Sequence, residues 1–425
     1  MSRHTLTATR AIGTTLAAVV AAGLLAAPAV AQTGKPAKDP RTTALQEVIE
    51  DQVERAGIPG VLASVRDGKR VWRGEAGVAD LRTGKKRGDH DRFRIGSITK
   101  TFVTTVILKL EAEGRLDLDD TVEKWLPGLV TGNGHDGSKV TIRQLLNHTS
   151  GISNYTANPE FGATYLGEEG FLKNRYHRHS PESLVGWAMR SAPDFEPGAG
   201  WNYSNTNFIL AGLIIEKATG RSYEQEMQDR ILRPLGLRNT TLPRHSAAMP
   251  KPSGRAYSKM FNAGPDAKFH DATRLNASWG WSAGDMISTT GDLQRFAGAL
   301  LSGKLLPPAQ QKELTTAVTL PVPGADVGYG LGLERAVLSC GVEIWGHSGG
   351  IHGSISEMYT TSDGKRTMVT NANGDWNPDR TPATLNAAFC GEKPSQPAPS
   401  LRSVQPSPFG SSELVARLNT YSARS

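Results

Sequence analysis

Ser97 stands three residues before Lys100 in the run Gly96-Ser97-Ile98-Thr99-Lys100. A serine hydroxyl attacks carbonyl carbons only when a neighbouring base takes its proton. Residues i and i+3 share one face of a helix, so Lys100 can reach the Ser97 oxygen. A lysine buried on that helix loses its charge readily and becomes a base at neutral pH. The first turn of a helix also offers unpaired backbone N–H groups to a developing oxyanion. Taken alone the pattern is weak, and it recurs as Ser362-Asp363-Gly364-Lys365. That copy falls in an Asp-Gly turn with no helix behind it. The copy at Ser97 leads into a run with Phe102, Val103, Val106, Ile107 and Leu110 at the spacing of a buried helix. The plain alternative is Ser97 as a helix cap with Lys100 in solvent.

Two further groups could share the work. Tyr203-Ser204-Asn205 supplies a phenol that can relay protons and an amide that can hold a substrate carbonyl. His347-Ser348-Gly349-Gly350 closes a strand expected over 342–345. Its glycines would let an extended substrate lie along the strand, with the Gly350 N–H as a second oxyanion donor. His347 and His352 have no carboxylate or cysteine at ligand spacing, so neither a metal nor a cofactor is expected.

The surrounding elements must bring these groups together. Leu45, Val48, Ile49 and Val53 mark an early helix over 45–56. Two hairpins are expected around Asp67-Gly68 and Asp363-Gly364, near opposite ends of the chain. Helix and loop patterns fill the region between them. The fold class that follows is α+β, with an antiparallel sheet built from N- and C-terminal strands, flanked by helices, and a mostly helical insertion.

The bulk numbers are those of an ordinary globular chain. Of 425 residues, 38% are hydrophobic and 21% charged. Arg3 and Arg10, the uncharged run Ala11–Ala27 and Ala29-Val30-Ala31 read as a signal peptide cleaved after Ala31. The apolar run is short for a membrane span and ends in Pro28, so no stable membrane anchor is expected. Residues 32–41 read as a leader, 42–392 as the hydrolase domain, and 393–425 as a Pro- and Ser-rich disordered tail. The formal net charge is +7 with scattered Lys and Arg, which gives nucleic-acid binding little support. Cys340 and Cys390 would form one disulfide in an oxidising compartment, the alternative being two buried thiols.

The ordered motifs resemble the serine β-lactamase and penicillin-binding peptidase superfamily. Within it the chain resembles the secreted D-alanyl-D-alanine carboxypeptidases of actinomycetes, over about Leu45 to Cys390. Further matching runs are Phe93-Arg94-Ile95-Gly96, Leu145-Leu146-Asn147-His148-Thr149-Ser150-Gly151 and Gly328-Tyr329-Gly330-Leu331. The resemblance implies an acyl-enzyme on Ser97, proton transfer by Lys100 and Tyr203, substrate orientation by Asn205, and an oxyanion held by the N–H groups of Ser97 and Gly350. It places His347, Ser348, Gly349, Trp279 and Phe161 around the substrate and pairs Cys340 with Cys390. Peptidoglycan stem peptides are the implied substrates of a monomeric enzyme, with β-lactams as inhibitors or substrates.

Two departures bear on specificity. Where those carboxypeptidases carry an arginine that binds the substrate's terminal carboxylate, this chain has Glu334, with Arg335 on the opposite strand face. Gly350 also lacks a hydroxyl that the family uses on the same carboxylate. Other readings on this scaffold are therefore an esterase, a D-amino-acid-specific peptidase, a β-lactamase, or a penicillin-binding module without turnover.

Overall fold

The two Asp-Gly hairpins, expected near opposite ends of the chain, are neighbours in space. The computed structural model describes residues 39–260, 267–376 and 380–392. Strands β1 (Gly60–Asp67) and β2 (Arg70–Gly77) form the first hairpin. After the helical region come β3 (Val318–Thr319), β4 (Val327–Tyr329), β5 (Glu334–Val337), β6 (Glu343–Ile351), β7 (Ser354–Thr361) and β8 (Arg366–Ala372). All eight join in one antiparallel sheet, in the order β2-β1-β8-β7-β6-β5-β4-β3. β1 pairs with β8 from Val61 opposite Ala372 to Asp67 opposite Arg366, which closes the sheet between the two ends.

Helices cover both faces, and strand alternation decides which residues meet which helix. Met358 and Val369 join the core containing Phe102 and Phe296, whereas their neighbours Tyr359 and Met368 join the core containing Leu45 and Ile49. Helix α1 (Pro40–Glu54) supplies the second core. It begins inside the segment read as leader, because the Asp39 carboxylate accepts from the Arg41 N–H and Pro40 occupies the first turn. The signal segment, the leader before Asp39 and the tail from residue 393 lie outside the described residues.

Two long helices carry Lys100 and Asn205. α2 (Thr99–Ala112) and α3 (Asn205–Thr219) each bury eleven residues, so neither has a solvent stripe of ordinary width. They pack on each other in the interior of the helical region. α4 (Thr290–Leu301) lies across β1, β7 and β8 on the same side of the sheet as α2. The Cys340–Cys390 disulfide forms, closing a separation of 50 residues and joining the turn after β5 to the last described helix, Asn386–Cys390. The loop entropy removed from the unfolded chain corresponds to about 4 kcal/mol.

Candidate active site

Ser97 sits in a 3₁₀ turn, Gly96–Ile98, that runs straight into α2. The turn is held against β6 by contacts that only glycine allows. Gly96 has φ +51°, and a Cβ there would lie 2.8 Å from the backbone N and O of Gly350. A Cβ on Gly349 would come within 2.0 Å of the Ile95 carbonyl oxygen and 2.9 Å of the Ser97 nitrogen. The two glycines thus bring the Ser97 and Gly350 backbones side by side, as an oxyanion site requires. The strand expected to stop at Trp345 continues to Ile351, because β6 keeps its ladder with β7 through Gly350 opposite Ile355. His347 to Gly350 therefore lie within the strand and not after its end.

Lys100 is fully buried one helical turn from the nucleophile. Its Nζ lies 2.9 Å from Ser97 Oγ, 2.8 Å from Asn205 Oδ1 and 2.7 Å from the Ala283 carbonyl oxygen. Burial pushes this amine well below the ordinary lysine range, and the charge of Glu334 only partly opposes it. A neutral amine has two N–H groups, matching the two carbonyl acceptors, and one lone pair, left for the Ser97 hydroxyl. A neutral Lys100 is thus placed to accept the Ser97 proton. The second Ser-x-x-Lys, at Ser362 to Lys365, lies in the turn between β7 and β8, where Lys365 pairs with Asp363 at 2.9 Å.

Asn205 opens α3, and Ser204 is its N-cap. The Asn205 Nδ2 donates to Thr156 Oγ1 at 3.0 Å, so this amide also fixes the lysine as well as facing the cleft. The Tyr203 ring stands 4.9 Å from Lys100 Nζ and 6.3 Å from the His347 ring. His347 is buried and neutral. Burial, with Lys100 nearby, pushes its pKa down to about 3. Its Nε2 accepts from the Tyr329 hydroxyl at 2.9 Å, and its Nδ1 faces the Ser348 carbonyl oxygen. The Ser348 hydroxyl donates to Glu334 Oε1 at 3.1 Å.

The cleft above Ser97 is lined by Tyr155, Asn205, Trp279, Gly280, Ala283, Gly284 and Gly350. Trp279 sits on a short turn capped by Asn276. Phe161 does not line the cleft: it is fully buried and packs edge-on against Tyr155 at 5.2 Å. Tyr155, whose hydroxyl donates to the Trp279 carbonyl oxygen, stands on the cleft wall beside Trp279. A larger open cavity of about 650 Å³ lies at the far edge of the sheet beside Arg335 and Trp345 and contains no nucleophile–base pair.

His148, within the run Leu145 to Gly151, also packs against the site. It is fully buried with φ +65°, and its Nδ1 accepts from the Ser204 N–H and faces Asn207 Nδ2, both at 3.2 Å. Burial holds it neutral, so its proton sits on Nε2. Its ring packs 4.2 Å from Tyr203, which makes it the support of the Tyr203-Ser204 corner. The sequence signal was a histidine immediately before the turn residues Thr149-Ser150-Gly151.

Known proteins resemble this chain in sequence and fold. The Beta-lactamase family profile matches residues 45–389. A solved D-stereospecific amidohydrolase from Streptomyces sp. is 52% identical, covering 82% of this chain and 99% of its own, with a TM-score of 0.77. D-amino acid amidase from Ochrobactrum anthropi SV3 is 26% identical, covering 82% and 98%, with a TM-score of 0.69. Penicillin-binding protein 4* of Bacillus subtilis is 27% identical over 81% of this chain and 74% of its own length. Esterase EstB of Burkholderia gladioli is 35% identical over 46% of this chain and 50% of its own. The extent of these matches, on the same sheet and helices that place a serine beside a buried lysine, shows that the chain belongs to the Beta-lactamase family, within the serine β-lactamase and penicillin-binding protein superfamily.

Proposed function

We propose that this protein is an exported amidohydrolase that cleaves amide bonds on the carbonyl side of D-configured residues through an acyl-Ser97 intermediate. The observation that carries the chemistry is Lys100 Nζ at 2.9 Å from Ser97 Oγ, with its other two polar contacts taken by carbonyl oxygens. The preference for D-configuration draws support from the likeness to the Streptomyces amidohydrolase. Export draws support from the basic start, apolar run and Ala29-Val30-Ala31.

In this reading Ser97 Oγ attacks the substrate carbonyl as its proton passes to Lys100 Nζ. The carbonyl oxygen takes the negative charge between the N–H groups of Ser97 and Gly350. Collapse breaks the C–N bond, and the proton goes to the leaving nitrogen from Lys100 through the Tyr203 side of the cleft. Water then attacks the ester, Lys100 takes its proton, and Ser97 is restored. A D-alanyl-D-alanine carboxypeptidase acting on peptidoglycan is the second reading, supported by the likeness to penicillin-binding protein 4*; it shares every step and differs in the leaving group.

The test is intact-mass and peptide analysis after mixing with a fluorescent penicillin, beside hydrolysis of paired D- and L-aminoacyl p-nitroanilides. The expected result is an adduct on Ser97, lost in Ser97→Ala, and D-over-L discrimination of about tenfold or more. Labelling of Ser97→Ala, or faster turnover of the L-substrate, would refute the reading.

A further inference from the structure

Three buried polar side chains stand behind the cleft wall and take no part in the chemistry above. Arg94, on the strand leading into the Ser97 turn, is 1% exposed. Its Nη2 donates to the Leu275 carbonyl at 2.9 Å, while Nε and Nη1 meet no acceptor. Asp285 follows the cleft residue Gly284 and is equally buried, and neither carboxylate oxygen has a partner in another residue. The hydroxyl of the fully buried Tyr223 is also unpartnered. Asp285 lies near enough to act electrostatically on both Arg94 and Tyr223, yet no hydrogen bond joins them. A buried carboxylate and guanidinium are too costly to leave dry. Donors from Arg94 and Tyr223 facing acceptors from Asp285 are the set that an internal water satisfies. One water spans about 5–6 Å between its partners, a gap too wide for a direct bond.

This set stands where two parts of the active site must keep register. The Ser97 turn and the Ala283 carbonyl, which accepts from Lys100, belong to segments far apart in sequence. The Ile95 N–H donates to the Met286 carbonyl at 3.0 Å, and Arg94 pairs with Ile287. Ala283 itself lies in the single helical turn Trp281–Gly284, entered through Trp281 at φ +30°, a conformation disfavoured for a bulky residue. Such a conformation persists only where its surroundings hold it. Here the Tyr223 ring meets Trp281 edge-on at 5.4 Å, and the Asp285 N–H donates to the Trp281 carbonyl at 3.0 Å.

We propose that Arg94, Asp285 and Tyr223 enclose a buried water site behind the cleft, and that this hydrated set positions the Ala283 carbonyl against Lys100 and the Ser97 turn. All three are positioning residues, since none lines the cleft. The positioning role rests on the acyl-Ser97 reading; the water site does not.

The experiment joins a high-resolution crystal structure of the wild type to stopped-flow acylation by a fluorescent penicillin, with the acylation rate constant and the penicillin affinity resolved separately. Ordered water is expected within hydrogen-bond distance of both Arg94 and Asp285. Asp285→Leu should slow the acylation step about tenfold or more with little change in affinity, because the nucleophile and its base lose register. Asp285→Asn, which still bonds to water, should recover the rate to within about threefold of wild type. A purely structural role would lower the folded fraction and leave the rate constant of folded molecules unchanged. Should Asp285→Leu not fold, Tyr223→Phe removes a single oxygen and is read by the same rate constant, expected to fall about threefold or more. A dry gap between Arg94 and Asp285, or a folded Asp285→Leu or Tyr223→Phe that acylates at the wild-type rate, overturns the proposal and leaves the acyl-Ser97 reading standing. A wild type that penicillin does not acylate overturns that reading and the positioning role together.

Discussion

Replacing Lys100 with methionine separates what the lysine does for catalysis from what it costs the fold. Methionine has similar length and packs well in irregular apolar space. The change removes the base 2.9 Å from Ser97 Oγ, a contribution of about 100- to 10,000-fold, or roughly 3–5 kcal/mol of barrier. Stability should move far less. Asn205 Oδ1 and the Ala283 carbonyl lose a donor, at about 1–3 kcal/mol each. Against this, the wild type carries an amine whose ionisation burial suppresses, at about 1.4 kcal/mol per unit of depression. The sign follows from linkage: the unfolded lysine binds the proton that the folded one gives up. Wild-type stability from this group is therefore full above the unfolded lysine pKa and falls as pH drops towards the lowered folded value. Relative to wild type, Lys100→Met should gain stability as the pH is lowered from about 10 to 7. The assays are stopped-flow labelling with fluorescent penicillin and urea unfolding at both pH values. A labelling rate within about tenfold of wild type, in a folded variant, would remove Lys100 as the base.

Substitutions at two other positions probe the supports of the site. His148→Asn keeps a short acceptor for the Ser204 N–H and tolerates positive φ, whereas His148→Leu does neither. The leucine variant should lose kcat about tenfold or more with KM less affected and unfold about 2–3 kcal/mol more easily, and asparagine should recover most of both; equal behaviour in kinetics and urea titration would refute the support role. Gly349→Ala would drive a methyl into the Ile95 carbonyl and the Ser97 nitrogen, so acylation should slow by about tenfold or more with a loss of about 1–3 kcal/mol in thermal unfolding. An unchanged acylation rate would show that the Ser97–Gly350 approach is not needed for the oxyanion.

Local pattern carried much of the architecture. The Asp67-Gly68 and Asp363-Gly364 turns sit between paired strands, since turn chemistry acts over a few residues. The apolar spacing after Lys100 gave a buried helix, and that burial made the lysine conspicuous. The strand expected over 342–345 continues to Ile351, because the glycines after His347 keep their ladder pairing with β7. Here they allow the nucleophile turn to approach a strand that continues. Phe161 misled because aromatic type marks burial without saying whether a ring faces the cleft or stands behind Tyr155.

The sequence by itself determined the pairing of Ser97 with Lys100 at the head of a buried helix, the sheet built from both ends of the chain and the cysteine pair, because short spacing, periodicity and motif order survive in one dimension. Only the tertiary structure decided how each polar group is spent. Burial beside Asn205 and Ala283 pushes Lys100 below the ordinary lysine range, the Tyr329 hydroxyl meets His347 Nε2, and the Ser348 hydroxyl donates to Glu334. Hydrogen bonds and desolvation depend on neighbours that the chain brings together from distant positions, so the charge states at this site are properties of the fold.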